Sequence, residues 1–223
     1  VRELIVNGVK EIVQNYDVDG IHMDDYFYPT FNSSNVNSAF DAKEYKASTM
    51  GKHKNGIVAF RRQQVNALVK AIHSAVKATK PNVTFGISPA GNIDNLTSKY
   101  SYYVDINKWL NSHDYVDYIC PQIYWGFKHP YAKFDRVTKR WMKAAKSKKV
   151  KVYIGIAVYR AGHNTGASSS ERREWRSDAN VLKKQVRYAR KKGCDGFAFF
   201  DYQDLKSKTS ARAVKNLKKV LKR

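Results

Sequence analysis

Residues 19–29 read DGIHMDDYFYP, a stretch that combines a strand-like pattern with two adjacent aspartates. Its first half is apolar enough for a short buried strand. Side chains alternate along a strand, which directs His22 and Asp24 to one side and their apolar neighbours to the other. Asp25 follows at the point where the strand meets a loop. The stretch therefore predicts a strand that carries two adjacent carboxylates at its carboxyl end.

Helix-like and strand-like segments alternate along the whole chain. Apolar residues recur at helical spacing in the segments predicted as helices, which are residues 2–16, 57–79, 105–112, 134–145, 178–192 and 209–222. Asp105 is suited to cap one of these helices and Gly193 to end another. Short apolar runs predict strands at residues 16–27, 83–89, 116–125, 150–159 and 194–202. Five strands separated by helices are typical of βαβ units and a parallel sheet.

Polar residues recur where the predicted strands end, and in a (β/α)₈ barrel of TIM type the active site lies at that end. Five βα units are fewer than the eight that close such a barrel, and the chain opens with a helix that no strand precedes. We therefore expect a partial barrel of about five of the eight units, with three N-terminal units outside this sequence. A five-stranded flavodoxin-like sheet is the alternative.

Two segments lack helical or strand periodicity and are predicted as long loops. Residues 30–56 are rich in Asn, Ser and Lys, and residues 160–178 carry Gly, Ser and Arg. Both follow strands, so we expect both at the same rim of the sheet. Loops of this length in compact domains are often functional.

Composition excludes several classes of protein. Hydrophobic residues make up 43% of the 223 residues, which is enough to bury a core and excludes intrinsic disorder. Only two cysteines are present, so a disulfide scaffold is excluded, and we expect Cys120 and Cys194 to be reduced and buried. No apolar run approaches the roughly 18 residues of a membrane span.

The charge balance indicates a polyanionic environment. Lys and Arg number 41 against 19 Asp and Glu, for a formal net charge of +22. Such an excess attracts nucleic acid, anionic lipid or anionic cell-wall polymer. A solvated helix face is the alternative explanation for the main basic clusters, which comprise Lys146, Lys148, Lys149 and Lys151, then Lys215, Lys218, Lys219, Lys222 and Arg223.

The Asp24–Asp25 pair is the strongest chemical signal. Two adjacent carboxylates repel each other when both are charged, which favours a proton on one of them, as a general acid requires. A helix cap or a salt bridge with a nearby Lys is the alternative. No third carboxylate lies nearby for a hard cation, and no zinc, dinucleotide, Walker or Gly-x-Ser-x-Gly motif occurs. We therefore expect neither a metal nor a cofactor.

Five motifs in order resemble the glycosyl-hydrolase-like 10 family, the DUF187 proteins. They are DGIHMDDYFYP, GISPAGN, YVDYICPQIYW, YIGIAVYRAG and GFAFFDYQDL. The resemblance implies a (β/α)₈ barrel of glycoside hydrolases from bacterial envelopes, some of which act on peptidoglycan glycan strands. It also implies that the five strands are strands four to eight, so that residues 1–223 form a single domain, the C-terminal portion of the barrel.

The resemblance implies a set of site residues. Asp24 and Asp25 match the motif carboxylates and are the catalytic candidates. The candidates for binding substrate are His22, Tyr26, Tyr28, Ser88, Gln122, Tyr124, Trp125, Tyr159 and Asp201. Alternatives remain for three of them: a satisfied core histidine for His22, core packing for Trp125 and helix capping for Asp201.

We expect a glycosidase that acts outside the cell or in its envelope, on a bacterial cell-wall or related N-acetylated glycan. Adjacent aspartates favour a route in which the substrate's own 2-acetamido group attacks, Asp24 orients that group and Asp25 is the acid. The rival route makes Asp24 a nucleophile. The alternative function is a catalytically inactive, cationic glycan- or wall-binding module. Specific nucleic-acid binding rests on charge alone, since no recognition motif is present.

Overall fold

The computed structural model describes residues 1–49, 56–147 and 149–221. Its strands are β1 (Gly20–Asp24), β2 (Thr84–Ser88), β3 (Tyr118–Ile119), β4 (Lys151–Ala157) and β5 (Gly196–Phe200). Its helices are α1 (Arg2–Asn15), α2 (Ala42–Ala47), α3 (Gly56–Thr79), α4 (Ile93–Leu96), α5 (Ile106–Leu110), α6 (Phe134–Ala144), α7 (Ser169–Ser177), α8 (Val181–Lys191), α9 (Tyr202–Lys206) and α10 (Ala211–Leu221), with a 3₁₀ turn at Val158–Arg160. Three residues of the basic clusters, Lys148, Lys222 and Arg223, lie outside the described residues, as does part of the predicted loop at 30–56.

The five strands form one parallel sheet in the order β1-β2-β3-β4-β5. β3 pairs with β4 at Tyr118↔Lys151, and β4 pairs with β5 from Tyr153↔Gly196 to Ala157↔Phe200. This sequential order confirms the predicted βα succession. It excludes the flavodoxin-like alternative, whose strands follow the order 2-1-3-4-5.

The chain divides into two compact units. The first comprises Val1–Ile87 and Ile93–Asp117, and the second comprises Ser88–Asn92 and Tyr118–Arg223. No helix among the residues described is both long and apolar enough to cross a membrane.

In the first unit, α1 packs on α3 through the apolar stripes that the sequence predicts. Val9 and Val13 of α1 are buried, as are Val65, Val69, Ile72 and Val76 of α3. Asp117 joins this layer to β2, because its carboxylate accepts the Phe85 N–H at 2.7 Å while its own N–H bonds the Phe85 carbonyl at 2.8 Å. Lys77 of α3 reaches the same carboxylate at 2.7 Å. Asp117 thus ties a helix to the sheet.

In the second unit, α8 packs between α6 and α10 beside β4. Ile154 and Ile156 of β4, Val186 of α8 and Leu217 of α10 are all buried there. Gly193 ends α8 with a φ of +85°, the left-handed conformation for which glycine carries no side-chain penalty. The predicted helix stop is confirmed.

Both segments predicted as loops contain a helix. α2 lies within residues 30–56, and α7 occupies much of residues 160–178. The start of α7 has a sequence signal, because Ser168 accepts the Glu171 N–H at 3.2 Å, and a Ser followed three residues later by a Glu is the spacing of a capping box. The prediction of an uninterrupted loop is therefore wrong in both places.

The third strand is shorter than predicted. β3 contains only Tyr118 and Ile119, whereas the apolar run predicts residues 116–125. Pro121 has no N–H to donate to a ladder, so regular pairing stops before it. Gln122 then resumes contact through isolated parallel bridges to Ala90 and Gly155.

Candidate active site

The two predicted catalytic residues lie in different environments. Asp24 is the last residue of β1 and is exposed, whereas Asp25 follows it and is only 2% exposed. Exposure alternates along β1 as predicted, with His22 and Asp24 on the open side. Both residues make interactions within the protein. The strand therefore supplies one accessible and one buried carboxyl at consecutive positions.

His22 lies beside Asp24 on the same side of β1. Desolvation lowers the pKa of His22, and the charge of Asp24 partly opposes this shift. Because the pKa is below its ordinary value, the imidazole is mainly neutral at pH 7 and can both donate and accept a hydrogen bond. A neutral imidazole on the open side of the strand is suited to binding a hydroxyl group.

Tyr102 is a neighbour of the acidic motif that the sequence did not identify. Burial raises the pKa of Tyr102, and the charges of Asp25 and Tyr26 raise it further. Tyr102 and Tyr103 have φ values of +59° and +54°, a conformation that bulky side chains adopt rarely. Nothing in their own sequence indicates this, since Gly, Asn and Asp are the residues that usually take it.

The two tyrosines after the carboxylates differ in their surroundings. Tyr26 is 80% exposed and is open to a ligand. Tyr28 packs on Tyr103 at 5.1 Å and stacks on Phe40 at 5.8 Å between ring centroids. Burial and the nearby carboxylate of Asp41 raise the pKa of Tyr28. Tyr28 thus anchors the segment after β1, and its contact with sugar remains a prediction.

A buried ion pair holds that same segment. Arg61 of α3 is fully buried and donates to both oxygens of Asp41, at 2.7 and 2.6 Å. Its guanidinium also lies 4.2 Å from the centroid of Phe31 and donates to the Tyr103 hydroxyl at 2.9 Å. A bidentate pair with a stacked ring fixes position as well as charge. The segment that follows the carboxylates is therefore firmly attached to α3.

In the second unit, Ser88 and Gln122 come together. The buried Ser88 hydroxyl donates to the Cys120 carbonyl at 2.9 Å, and the Gln122 amide donates to the Ser88 carbonyl at 3.0 Å. Both polar groups therefore join the ends of neighbouring strands. A role for either in binding sugar remains a prediction.

Tyr124 and Tyr159 also come together, on Phe200. Tyr124 stacks on Phe200 at 5.9 Å and meets Tyr159 edge-on at 6.0 Å, while Tyr159 meets Phe200 at 6.2 Å. Phe200 is 53% exposed, and it was not among the predicted site residues. The sequence did contain a signal for Phe200 as a site residue, because the predicted strand motif GFAFF ends at this position. These three rings form an aromatic patch that suits the apolar face of a sugar.

The backbone around Trp125 is held by two fully buried polar side chains. Glu171 accepts the Gly126 N–H at 3.0 Å, the Ala167 N–H at 2.7 Å and the Trp175 indole N–H at 3.3 Å. Gln185 donates to the Trp125 carbonyl at 3.0 Å. The sequence carries no signal for either role, because each side chain acts on a loop far away in the chain.

The Trp125 ring is half-buried and lies 5.9 Å from the ring of His129. A Cβ at Gly91 would approach this ring to 2.7 Å, so only glycine fits at that position. Partial exposure leaves the ring accessible to a ligand.

Asp201 caps α9, because its side chain accepts the Asp204 N–H at 3.1 Å. Of the two roles left open for Asp201, capping is therefore realised. Cys120 and Cys194 are both reduced, as expected, but Cys194 is only half-buried. Within the described parts of the chain, no group of three or more His, Cys, Asp or Glu residues is placed to hold a metal ion.

The sequence of this chain is similar to a known protein family and to individual bacterial proteins. A family model described as glycosyl hydrolase-like 10 matches residues 1–176. The chain is 36% identical over 194 residues to the glycosyl hydrolase YngK of Bacillus subtilis (strain 168), covering 78% of this chain and 36% of YngK. It is 32% identical over 200 residues to the glycosyl hydrolase DigH of Escherichia coli (strain K12), covering 83% of this chain and 43% of DigH. The chain thus spans well under half the length of both relatives.

A solved structure has a similar fold. The glycoside hydrolase domain of PgaB (BpsB) from Bordetella bronchiseptica superposes with a TM-score of 0.56, covering 97% of this chain and 61% of that chain. Sequence identity is 11%, so this likeness concerns the fold alone. It identifies the fold as a parallel (β/α) barrel of TIM type, of which this chain contributes five βα units.

Proposed function

Since this chain belongs to the glycosyl hydrolase-like 10 family, we propose that it provides the catalytic carboxylates of a glycosidase that cleaves a bacterial cell-wall or related N-acetylated glycan. The observation that carries the proposal is the placement of Asp24 and Asp25 at the carboxyl end of β1, one exposed and one buried. Glycosidases divide two tasks between carboxyl groups in different environments, and one group must deliver a proton.

We assign Asp25 as the acid and Asp24 as the group that orients the substrate. The carbonyl oxygen of the 2-acetamido group attacks the anomeric carbon, and the glycosidic C–O bond breaks. The leaving oxygen takes the proton of Asp25, while Asp24 accepts the amide N–H and stabilises the cyclic intermediate. Water then opens that intermediate and returns a proton to Asp25. The adjacency of Asp24 and Asp25 supports this assignment of roles. In conventional retaining glycosidases the nucleophile and the acid flank the glycosidic bond, with their carboxyl groups about 5 Å apart.

Substrate binding is proposed for five of the remaining candidates and for Phe200. His22 and Tyr26 would bind sugar hydroxyls next to the carboxylates. In the second unit, the patch of Tyr124, Tyr159 and Phe200 would pack on a sugar ring, and the half-buried Trp125 would do the same. Aromatic rings with a polar end combine this packing with hydrogen bonding.

We place the protein outside the cell or in its envelope, in contact with anionic wall polymer. The net charge of +22 supports this proposal, since charge of this size concentrates polyanions at a protein surface. A catalytically inactive, cationic wall-binding module is the second candidate, and the same charge favours it. Turnover distinguishes the two functions.

The experiment compares Asp24→Asn and Asp25→Asn in the full natural protein on N-acetylated glycosides with good and poor leaving groups. Loss of the acid should slow poor leaving groups by about 10²–10⁴-fold and good ones far less. The quantity compared is the ratio of the rates on good and poor leaving groups within each variant. Partial unfolding of Asp25→Asn would lower both rates equally, so it cannot change this ratio. Asp17→Asn, an exposed aspartate before β1, is the matched control and should retain full activity.

Three outcomes would contradict the proposal. A covalent glycosyl-enzyme trapped at Asp24, or full turnover of sugars without the acetamido group, would reject the substrate-assisted route. Tight binding of wall glycan by the wild-type protein, with no hydrolysis of any N-acetylated substrate, would establish the binding module instead.

A further inference from the structure

An open cleft of about 1030 Å³ lies between α7 and α8 in the second unit. Its lining includes Phe127 and Tyr188, whose rings meet edge-on at 6.2 Å. A cleft of this volume is at the upper end of the range for small-molecule sites, so it has room for several units of a chain-like ligand. The cleft includes none of the predicted site residues.

The cationic side chains of the cleft follow from helix periodicity. Lys184, Arg187 and Lys191 are spaced by three and four residues, which places them on one face of α8. Arg173 extends from α7, and Lys128 from the loop after β3. The cleft is therefore lined by cations from three separate parts of the chain.

The two carboxylates in the cleft already have protein contacts. Asp178 accepts the Lys184 ammonium at 2.6 Å, and Glu174 accepts the Lys128 N–H at 2.9 Å. None of the residues that the structure describes forms a salt bridge with Arg173, Arg187 or Lys191. These three exposed cations therefore give the cleft an excess of positive charge beside its aromatic lining residues.

We infer that this cleft is a second binding site, which holds an anionic polyhydroxylated polymer by its phosphate or carboxylate groups. Guanidinium groups match both anions in a two-pronged geometry, which suits Arg173 and Arg187. The C–H-rich faces of sugar or polyol units pack on Phe127 and Tyr188. This inference rests on the proposed contact with an anionic wall polymer, and it assigns that contact to residues of the second unit other than the proposed sugar-binding residues.

The test measures the affinity of the full natural protein for poly(glycerol phosphate), for a polyuronate and for neutral dextran. The cleft variant combines Arg173→Ala, Arg187→Ala and Lys191→Ala. The matched control combines Arg136→Ala, Lys139→Ala and Lys143→Ala, three exposed cations of α6 that lie outside the cleft and remove the same charge. Melting temperature confirms that both variants are folded.

The cleft variant should lose affinity for the anionic polymers by about tenfold or more, and the control by much less. The slope of log affinity against log salt should become shallower by about 2 in the cleft variant, at roughly 0.7 per lost charge contact. Binding to one anionic polymer alone would identify the anion as phosphate or as carboxylate.

Equal losses of affinity in the cleft variant and the control would overturn the cleft assignment. They would mean that the polymers are attracted by the overall charge of the protein and not by the cleft. Wild-type binding to dextran as tight as to the polyanions would overturn the role of the cations. If the wild-type protein binds no polyanion, the proposed wall contact fails together with the cleft. Hydrolysis of an uncharged N-acetylated oligosaccharide by the cleft variant tests the glycosidase proposal separately, and it should be unchanged.

Discussion

Glu171 accepts the backbone N–H of Gly126 at 3.0 Å across 45 residues of sequence. Its other oxygen accepts the Ala167 N–H at 2.7 Å, so one carboxylate joins the loop after β3 to the start of α7. Trp125, a proposed sugar-binding residue, immediately precedes Gly126. The position of that ring therefore depends on a buried residue that touches no substrate.

Glu171→Gln should destabilise the protein by about 2–4 kcal/mol. The amide group of Gln replaces one acceptor oxygen with a donor, so a buried backbone N–H then faces another N–H. Each group left without a hydrogen bond costs about 1–3 kcal/mol of stability. Urea unfolding measures the change in the free energy of unfolding. Glu11→Gln, an exposed site on α1, is the control and should change it by less than about 0.5 kcal/mol. An unchanged midpoint for Glu171→Gln would show that the carboxylate is dispensable.

Replacing either partner of the Arg61–Asp41 ion pair should strongly destabilise the protein. Arg61→Met and Asp41→Asn each leave an uncompensated polar group in a buried place, at about 3–5 kcal/mol. The double variant should lose less than the sum of the two, because neither charge is then left alone. A double-mutant cycle by urea unfolding measures this coupling. Strict additivity would mean that the two residues act independently.

The contribution of Asp117 to stability should depend on pH. Burial acts to raise the pKa of Asp117, but hydrogen bonds from Lys77 and from the Phe85 N–H hold it below the ordinary value. A carboxyl with a lower pKa in the folded state stabilises the protein above its unfolded pKa of about 3.9. That contribution disappears as the pH falls through the folded pKa.

Asp117→Asn should therefore be less stable than the wild type at pH 7, by about 1–2 kcal/mol for a lost charge-assisted hydrogen bond. The difference should shrink steadily below about pH 4. Thermal melts from pH 2.5 to 7 provide the measurement. Asp114→Asn removes an exposed pair with Lys70 and should have little effect at any pH. A difference between Asp117→Asn and the wild type that is constant with pH would contradict this account.

Cys194 should react slowly with alkylating reagents. Burial raises the pKa of its thiol to about 11, and the thiolate is the reactive form. At pH 8 alkylation should be on the order of 100-fold slower than for an ordinary thiol of pKa about 8.5. Mass spectrometry of the Cys194 peptide measures the rate. In the folded protein the alkylation rate should still rise with pH between 9 and 10. In urea the alkylation rate should level off near pH 9.

Much of the fold was predictable because its causes are local. Side-chain alternation along β1 directed His22 and Asp24 to the open side, and apolar spacing along α3 defined a helix that the structure confirms. Asp105 accepts the Lys108 N–H as the predicted cap of α5. Each of these depends on how a side chain meets its own stretch of backbone, which a sequence pattern expresses directly.

The sequence by itself determined the parallel βα succession and the pair of carboxylates at the end of its first strand. Only the tertiary structure decided that Asp25 is buried while Asp24 is exposed, that Arg61 pairs with Asp41, and that Glu171 supports Gly126. Those features join groups 20 and 45 residues apart in sequence, or depend on the water that packing excludes. A pairing between two particular distant residues, or the burial of one polar side chain, has no periodic pattern in a sequence, because both arise only when distant segments pack together.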